Sequence, residues 1–559
     1  MGDDSLDAVR RLAAIVDSVD PAHCVHSDVF AFALYLGVEA SVIESARARC
    51  KGEDGQPGRS DFAPDHGNRT ALGAWYTPPG LARGLTRLAI DCFGGVPGRV
   101  LDPTCGAGVF LLAAADELHE MGLSPEQCVR RLTGVDVDPI ALVATAVAIG
   151  KWCVELGGAW TIPTLIVHDI VHTDPPDGLD DCDLVVGNPP FLSQLRTRTV
   201  RTSEQQTALG AVGYADSSTI VMQRAVDALA VGGVVVLILP RSFLSARDAK
   251  PVRDHLDLTS NLVAAWFDDR PMFDASVRVW APVVRRKPAS TAGVVLAGGD
   301  EVTPGGRVDF AGWSELGADA VGVPRLANLP RAGVVGDLAD VTADFRDWFY
   351  ELAGAVRELG PDDLSDVVAV LTSGGIEPLE SLWGHRVARL AGNKYIEPVV
   401  DRAWVESRKD SVRRLAPKVI IANQTRVIEA MVDSTGSMVG STPTIQATPK
   451  SSDDLWRLAA VLASPVASVA AMRRCSGTGL SPKAMRLTAK VVASLPLPVD
   501  GVLWSEGADL VRGGAGAREV GRTMNRAYAM GDDDPVYLWW KAQLKEPSGL
   551  GSGRPFTSG

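Results

Sequence analysis

A doubly wound, mostly parallel α/β sheet is the fold predicted for the middle of this chain. A small helical region precedes it and a mixed α/β domain follows. Three observations lead there. Between about residues 71 and 290, short apolar runs alternate with helical segments, the pattern of strands joined by crossover helices. A glycine-bearing turn stands directly after one of the runs, at 106–108. Acidic residues close three successive runs, at Asp102, Asp136 and Asp169.

The elements follow in order. Leu6, Val9, Leu12, Ala13 and Val16 recur at helical spacing over 5–18, and a second helix is expected over 31–48. The polar, Gly/Pro-rich stretch 51–60 reads as a linker. Strands are expected at 100–101, 132–135, 164–167, 184–186, 234–239, 262–266 and 279–284, with helices over 109–121 and 139–156 among the connections. Residues 291–375 are Gly-rich and weakly patterned, with one helix near 344–359. Beyond them, 376–545 mixes short strands (419–422) with a helix (453–463), and the Gly/Ser/Pro-rich tail 546–559 is expected to be disordered. The expected domains are therefore 1–60, 71–290, a connecting region 291–375, and 376–545.

Composition narrows the class. With 559 residues and 46% apolar content, the chain can bury a large core, which excludes collagen, a disordered tail and a small disulfide scaffold. The eight cysteines form no CxxC pair, so neither a metal finger nor a disulfide framework is expected, and no metal. No apolar run reaches the length of a membrane span and the start carries no signal peptide; a cytoplasmic protein without a membrane partner is expected. The net charge of −13 argues against nucleic acid, but residues 380–500 hold 17 Lys/Arg against 10 Asp/Glu. A basic segment on an acidic body suits a confined polyanion-binding face; ordinary fluctuation of surface charge gives the same count.

Chemistry is concentrated at the strand ends. In Val100-Leu-Asp-Pro-Thr-Cys-Gly-Ala-Gly-Val-Phe110, Gly106 and Gly108 let the backbone turn sharply and approach a ligand. There is no third glycine and no following Gly-Lys-Ser/Thr, which disfavours a phosphate cradle. Asp136 ends the next strand, where a carboxylate accepts both hydroxyls of a ribose, although a helix N-cap neighbour has the same look. Asp169, after His168, is placed to accept from an adenine amine. Acidic strand ends in succession suit a nucleoside bearing a cationic group, which describes S-adenosylmethionine. The sharpest signal is Asn188-Pro189-Pro190-Phe191 after the strand 184–186. Prolines remove backbone donors, leaving carbonyls and the Asn188 carboxamide to accept both N–H bonds of a ring-bound amine. That draws the nitrogen toward tetrahedral geometry and frees its lone pair for an in-line methyl transfer. Phe191 stacks on the ring in this reading. A plain Asn-Pro-Pro turn is the alternative.

These motifs resemble the N6-adenine DNA methyltransferases of the gamma order, with a Rossmann-like methyltransferase sheet and a C-terminal target-recognition domain. Tyr76-Thr77-Pro-Pro79 resembles the family's opening cofactor motif, Asp102-Pro-Thr-Cys-Gly-Ala-Gly108 its first motif, and Asn188-Pro-Pro-Phe191 its catalytic tetrapeptide. Asp136 and Asp169 match its ribose and adenine acceptors. Met272-Phe273 resembles the motif whose aromatic packs the second face of the target base. Between 417 and 498, Pro417–Thr425, Leu462–Ser464, Gly477–Gly479 and Leu495–Pro498 resemble the specificity domain of single-chain members. The resemblance implies methyl transfer from S-adenosylmethionine to the N6 of an adenine flipped from double-stranded DNA, in restriction-modification or phage defence, with any restriction endonuclease a separate partner. Phosphate contacts are then expected from Arg196, Arg198 and Arg201 near the pocket mouth, and from Lys418, Arg426, Arg473, Arg474 and Lys483. Other planar amino groups (guanine N2 in RNA, cytosine N4 in DNA, a protein glutamine) and a non-catalytic DNA-binding subunit remain alternatives.

Overall fold

The computed structural model describes residues 77–191, 216–268, 270, 278–288, 293–327, 329–343, 346–360, 366–476 and 484–544. The expected N-terminal helices and the tail 546–559 lie outside them. The chain divides into two compact units between Ala311 and Gly312.

The first unit is built on one sheet. Its strands are β1 (Val100–Asp102), β2 (Leu132–Asp136), β3 (Thr164–Val167), β4 (Cys182–Gly187), β5 (Leu229–Leu237), β6 (Ser260–Phe267), β7 (Val279–Arg286), β8 (Val294–Gly298) and β9 (Thr303–Val308). They lie in the order β9-β8-β6-β7-β5-β4-β1-β2-β3, and the short strand Leu239–Pro240 also pairs with β7. Strands β1 to β5 run parallel, whereas β7 lies antiparallel between β5 and β6. All seven strands expected from the apolar runs are present. Burial is the reason for the central ones: β1 is buried throughout, and β4 and the second half of β5 nearly so, as strands covered on both faces must be, whereas β3 at the edge is half-buried to exposed.

The order reverses at β1. From β1 the chain steps outward to β2 and β3, then returns to β4 on the other side of β1, with Leu101 paired to Thr133 and to Val185. Such a reversal opens a crevice at the carboxyl ends of the two strands that part there. The helices α1 (Pro79–Phe93), α2 (Val109–Glu120), α3 (Pro139–Glu155), α4 (Ser217–Asp227) and α5 (Lys250–Thr259) accompany the sheet. Leu81 and Leu85 of α1, Phe110 and Leu111 of α2 and Leu142 of α3 share one apolar core with Val100, Leu184 and Val236 of the strands. Helix α1 begins on Pro78-Pro79 and ends at Gly94, whose φ of 79° closes it with an N–H bond to the Ile90 carbonyl. Arg83 and Arg87 tie it to Glu117 of α2 at 2.8 and 2.9 Å. Its Gly84 lies so close to the turn before β9 that a Cβ would stand 2.6 Å from Val302 Cγ2.

Two strands fall where a connecting region was expected. β8 runs parallel to β6, and β9 closes the edge antiparallel to β8. The β9 sequence Thr-Pro-Gly-Gly-Arg-Val is almost wholly exposed, so it carries no alternation to read and is held by backbone pairing.

The second unit, from Gly312, holds two four-stranded sheets. One orders Ala339–Ala343, Thr444–Pro449, Lys418–Ala422 and Ala430–Asp433, all antiparallel. The helices Leu455–Leu462, Pro465–Cys475, Gly501–Arg512, Ala517–Ala527 and Pro535–Gln543 complete its core, where Val419, Ile421, Leu458, Val469, Met524 and Tyr528 are buried together. Among the described residues, no single helix is long and apolar enough to cross a membrane.

Gly84→Leu should lower stability by about 1–3 kcal/mol in urea unfolding through overpacking. An unchanged midpoint would mean that α1 does not sit against this turn.

Candidate active site

The turn after β1 is built by backbone and by two side chains from other elements. Cys105 N–H donates to the Val135 carbonyl at 2.9 Å, pinning the turn to β2. Gly106 N–H donates to Asp136 Oδ2 at 2.8 Å, and Asp138 N–H donates to Asp136 Oδ1 at 2.9 Å. From α3, the Thr145 hydroxyl donates to the Gly106 carbonyl at 2.7 Å. Gly108, the residue before α2, adopts φ 82°, and a Cβ there would stand 2.8 Å from the Thr145 side chain. Glycine is required at 108 on both counts. Thr145 carries no signal in the sequence; only the fold brings it to the turn.

The three acidic strand ends differ. Asp102 is 1% exposed; its Oδ1 accepts from Thr104 N–H at 3.1 Å, and a Cβ on Gly187 of β4 would stand 2.7 Å from the same oxygen. The direct ligand contact expected of Asp102 is therefore corrected to bracing of the turn against β4, because so buried a carboxylate offers a ligand no open face. Burial pushes its pKa well above the usual carboxylate value, against the Thr104 hydrogen bond and together with the Asp136 charge. Asp136 is half-buried and also raised, chiefly by burial and against the hydrogen bonds from Asp138 and Gly106. Asp169 accepts from the backbone of Val171 and His172 at 3.0 Å each, and lies 2.8 Å from His172 Nδ1. Burial acts to raise its pKa, but the His172 side chain and these backbone donors outweigh it and hold the value below the usual one.

The tetrapeptide follows β4 directly, so it begins beside the end of β1. Pro189 is buried, Asn188 and Pro190 half-buried. Asn188 Nδ2 donates to Thr77 Oγ1 at 3.0 Å across 111 positions of sequence. Thr77, expected among the cofactor residues, is 3% exposed and bonded to the tetrapeptide. Phe191 is half-buried and packs part of its side chain on the core of the first unit. The structure thus brings together Thr77, Asp102, Gly106, Gly108, Asp136 and Asn188–Phe191, with Asp169 after the neighbouring β3. Tyr76, Arg196, Arg198, Arg201, Phe273 and Lys483 lie outside the described residues.

Two expected phosphate contacts are corrected. Lys418 is fully buried, its Nζ 2.7 Å from Asp433 Oδ2 and donating to the Ala416 carbonyl at 3.1 Å. Arg473 is 4% exposed; it pairs with Asp319 at 2.8 Å and with Glu315, and donates to the Val323 carbonyl at 2.8 Å. Buried charges are retained where they are paired and hydrogen-bonded, and these cannot reach a phosphate. Arg426 and Arg474 are exposed, and Arg474 donates to the Ser494 carbonyl at 2.7 Å. Among the described residues, no His, Cys, Asp and Glu side chains gather into a group that could hold a metal ion.

The mostly parallel sheet, its reversal at β1 and the strand-end turn define a Rossmann-like fold. Residues 60–264 match the family model described as N-6 DNA Methylase. The chain is 32% identical over 119 residues to the Type I restriction enzyme MjaIX methylase subunit of Methanocaldococcus jannaschii, covering 21% of this chain and 19% of that protein. The chain thus matches about a fifth of that relative's length. The solved structure of the Type IIL restriction-modification enzyme MmeI in complex with DNA superposes with a TM-score of 0.54 at 11% identity, over 91% of this chain and 82% of that one. At that identity the likeness is one of fold.

The raised Asp102 pKa sets a sign for stability against pH. Folding favours the protonated form, so this contribution is complete below the ordinary Asp range and is lost as pH rises through the raised value. Asp102→Asn keeps an acceptor for Thr104 and removes the charge. Its stability relative to wild type should therefore grow in denaturant unfolding as pH rises above the ordinary Asp range. A constant difference over that rise would contradict the burial.

Proposed function

We propose that this protein is a DNA methyltransferase that moves a methyl group from S-adenosylmethionine to the N6 amino group of an adenine rotated out of the duplex. A restriction-modification setting, with any endonuclease on a separate protein, completes the reading. One observation carries it: the Asn188-Pro-Pro-Phe191 segment leaves β4 beside the glycine turn of β1, at the reversal of strand order where α/β sheets bind ligands.

The residues present fit the cofactor. At Gly106, with φ 51°, no described atom lies within 4 Å of where a Cβ would stand, so a nucleoside can lie against the backbone there, and Asp136 keeps a second acceptor position on each oxygen for ribose hydroxyls. Asp169 stands after the next strand for the adenine amine. When bound, S-adenosylmethionine supplies a methyl group on a positively charged sulfur. The chain's own residues do the rest. The Asn188 carboxamide and the Pro189 carbonyl accept the two N–H bonds of the target amine, withdrawing its lone pair from the ring. Neither group has to reorganise as charge develops. Phe191, packed in part on the core, stacks on the ring in this reading; stacking of this kind contributes roughly 1–3 kcal/mol. A stacked adenine cannot present its amine to this pocket, so extrusion is required. Arg426 and Arg474 remain as exposed phosphate contacts in the second unit, which serves as the target-recognition domain.

Incubating the chain with methyl-labelled cofactor and unmethylated genomic DNA should place label in DNA as N6-methyladenine. Label in RNA or protein, and none in DNA, would overturn the assignment. Asn188→Ala should cut transfer by roughly 100-fold or more while cofactor affinity stays near wild type; a matching loss of affinity would mean that Asn188 serves the cofactor. Replacing both Arg426 and Arg474 by Glu should weaken DNA binding and reduce the log–log salt slope by roughly 2. An unaltered slope would move the DNA face elsewhere.

A further inference from the structure

From the 3.0 Å bond between Asn188 Nδ2 and Thr77 Oγ1, we infer that Thr77 is the positioning residue for Asn188, fixing the torsion of its carboxamide for the acceptor base. The inference rests on the reading above, in which Asn188 accepts from the adenine amine, and it assigns Thr77 to the catalytic asparagine in place of the cofactor.

A carboxamide carries a donor and an acceptor on opposite sides of Cγ, and rotation about the terminal torsion exchanges them at little cost. The two orientations are not equivalent here. With Oδ1 toward the substrate, Asn188 accepts an N–H bond; with Nδ2 toward it, two donors face each other and the amine is repelled. In the structure Nδ2 donates to the Thr77 hydroxyl, which leaves Oδ1 on the other side of Cγ; because a hydroxyl can also donate, the bond fixes the torsion of the carboxamide, and the choice of end falls to the substrate amine. Thr77 is 3% exposed, so little water competes for the bond.

The hydroxyl is held rigidly enough for this task. Pro78 and Pro79 follow it at the start of α1, with Pro78 at φ −57° and ψ 134°, and their rings restrict the backbone on its C-terminal side. The first turn is closed by Ala82 N–H to the Pro78 carbonyl at 3.1 Å. Beyond it, Leu81, Ala82 and Leu85 are buried in the core that also contains Leu184 and Val186 of β4. Arg83 and Arg87 add ion pairs to Glu117 of α2. The strand that ends in the tetrapeptide and the helix that begins after Thr77 thus share one core, and the bond closes at the point where both emerge from it.

The test compares Thr77→Val, which keeps the shape and removes the oxygen, with Thr77→Ser, which keeps the oxygen. Turnover is measured on unmethylated genomic DNA with labelled cofactor, and affinity for S-adenosylhomocysteine by calorimetry. Thr77→Val should lower kcat roughly five- to tenfold, the loss expected for one neutral hydrogen bond, with affinity unchanged, and Thr77→Ser should recover most of the turnover. Should Thr77→Val not fold, Thr77→Ala takes its place with the same expectation. Unchanged kcat, a loss explained by weaker affinity, or a Ser variant as poor as the Val variant would each overturn the inference. Absence of any label in DNA from the wild-type chain would instead sink the methyltransferase reading, and this assignment with it.

Discussion

The close approach of β1 and β4 at their carboxyl ends is the constraint on which the rest of the first unit depends. Asp102 and Gly187 terminate those strands, and there is no room between them for a single added carbon. The contact costs something, since Asp102 is a carboxyl group held where its charge is disfavoured. In return, two loops with different tasks start from neighbouring points. One becomes the glycine turn, braced by Asp136 from β2 and Thr145 from α3. The other becomes the asparagine-proline segment, braced by Thr77 ahead of α1. Every bracing group comes from a different element, so the geometry of the crevice is a property of the folded core and not of either loop alone.

Much of that arrangement was legible in the sequence, for a physical reason. Strands buried on both faces read as short apolar runs, and a chain that alternates them with helices has few ways to fold. Glycines and prolines at strand ends mark the places where the backbone does something a side chain or an N–H would prevent. What stayed hidden was whatever depends on partners far apart in sequence. The Thr77–Asn188 bond spans more than a hundred positions, Thr145 looks like any other residue of an apolar helix, and β9 has no hydrophobic face to betray it. The acidic strand ends looked alike as letters, yet burial separates them: Asp102 became a brace while Asp136 and Asp169 stayed partly open.

The second unit shows the same limit in its charges. Counting Lys and Arg over 380–500 suggests a basic face, but Lys418 and Arg473 are interior cations paired with Asp433 and with Asp319 and Glu315. A charge count cannot separate a surface cation from one that ties strands or helices together. Arg426 and Arg474 are exposed, and a DNA-facing surface would be built from such residues. The helices from Gly501 onward belong to this unit's core, so its hydrophobic centre is assembled from strands and helices drawn from most of its length.

Methylation-aware sequencing of DNA from otherwise identical cells carrying the wild-type gene or its Asn188→Ala variant shows whether the crevice between β1 and β4 methylates adenine in DNA. N6-methyladenine is expected at a recurring sequence in the first and none in the second. The same adenine marks in both, or no new mark with the wild-type gene expressed and folded, would refute this role for the crevice.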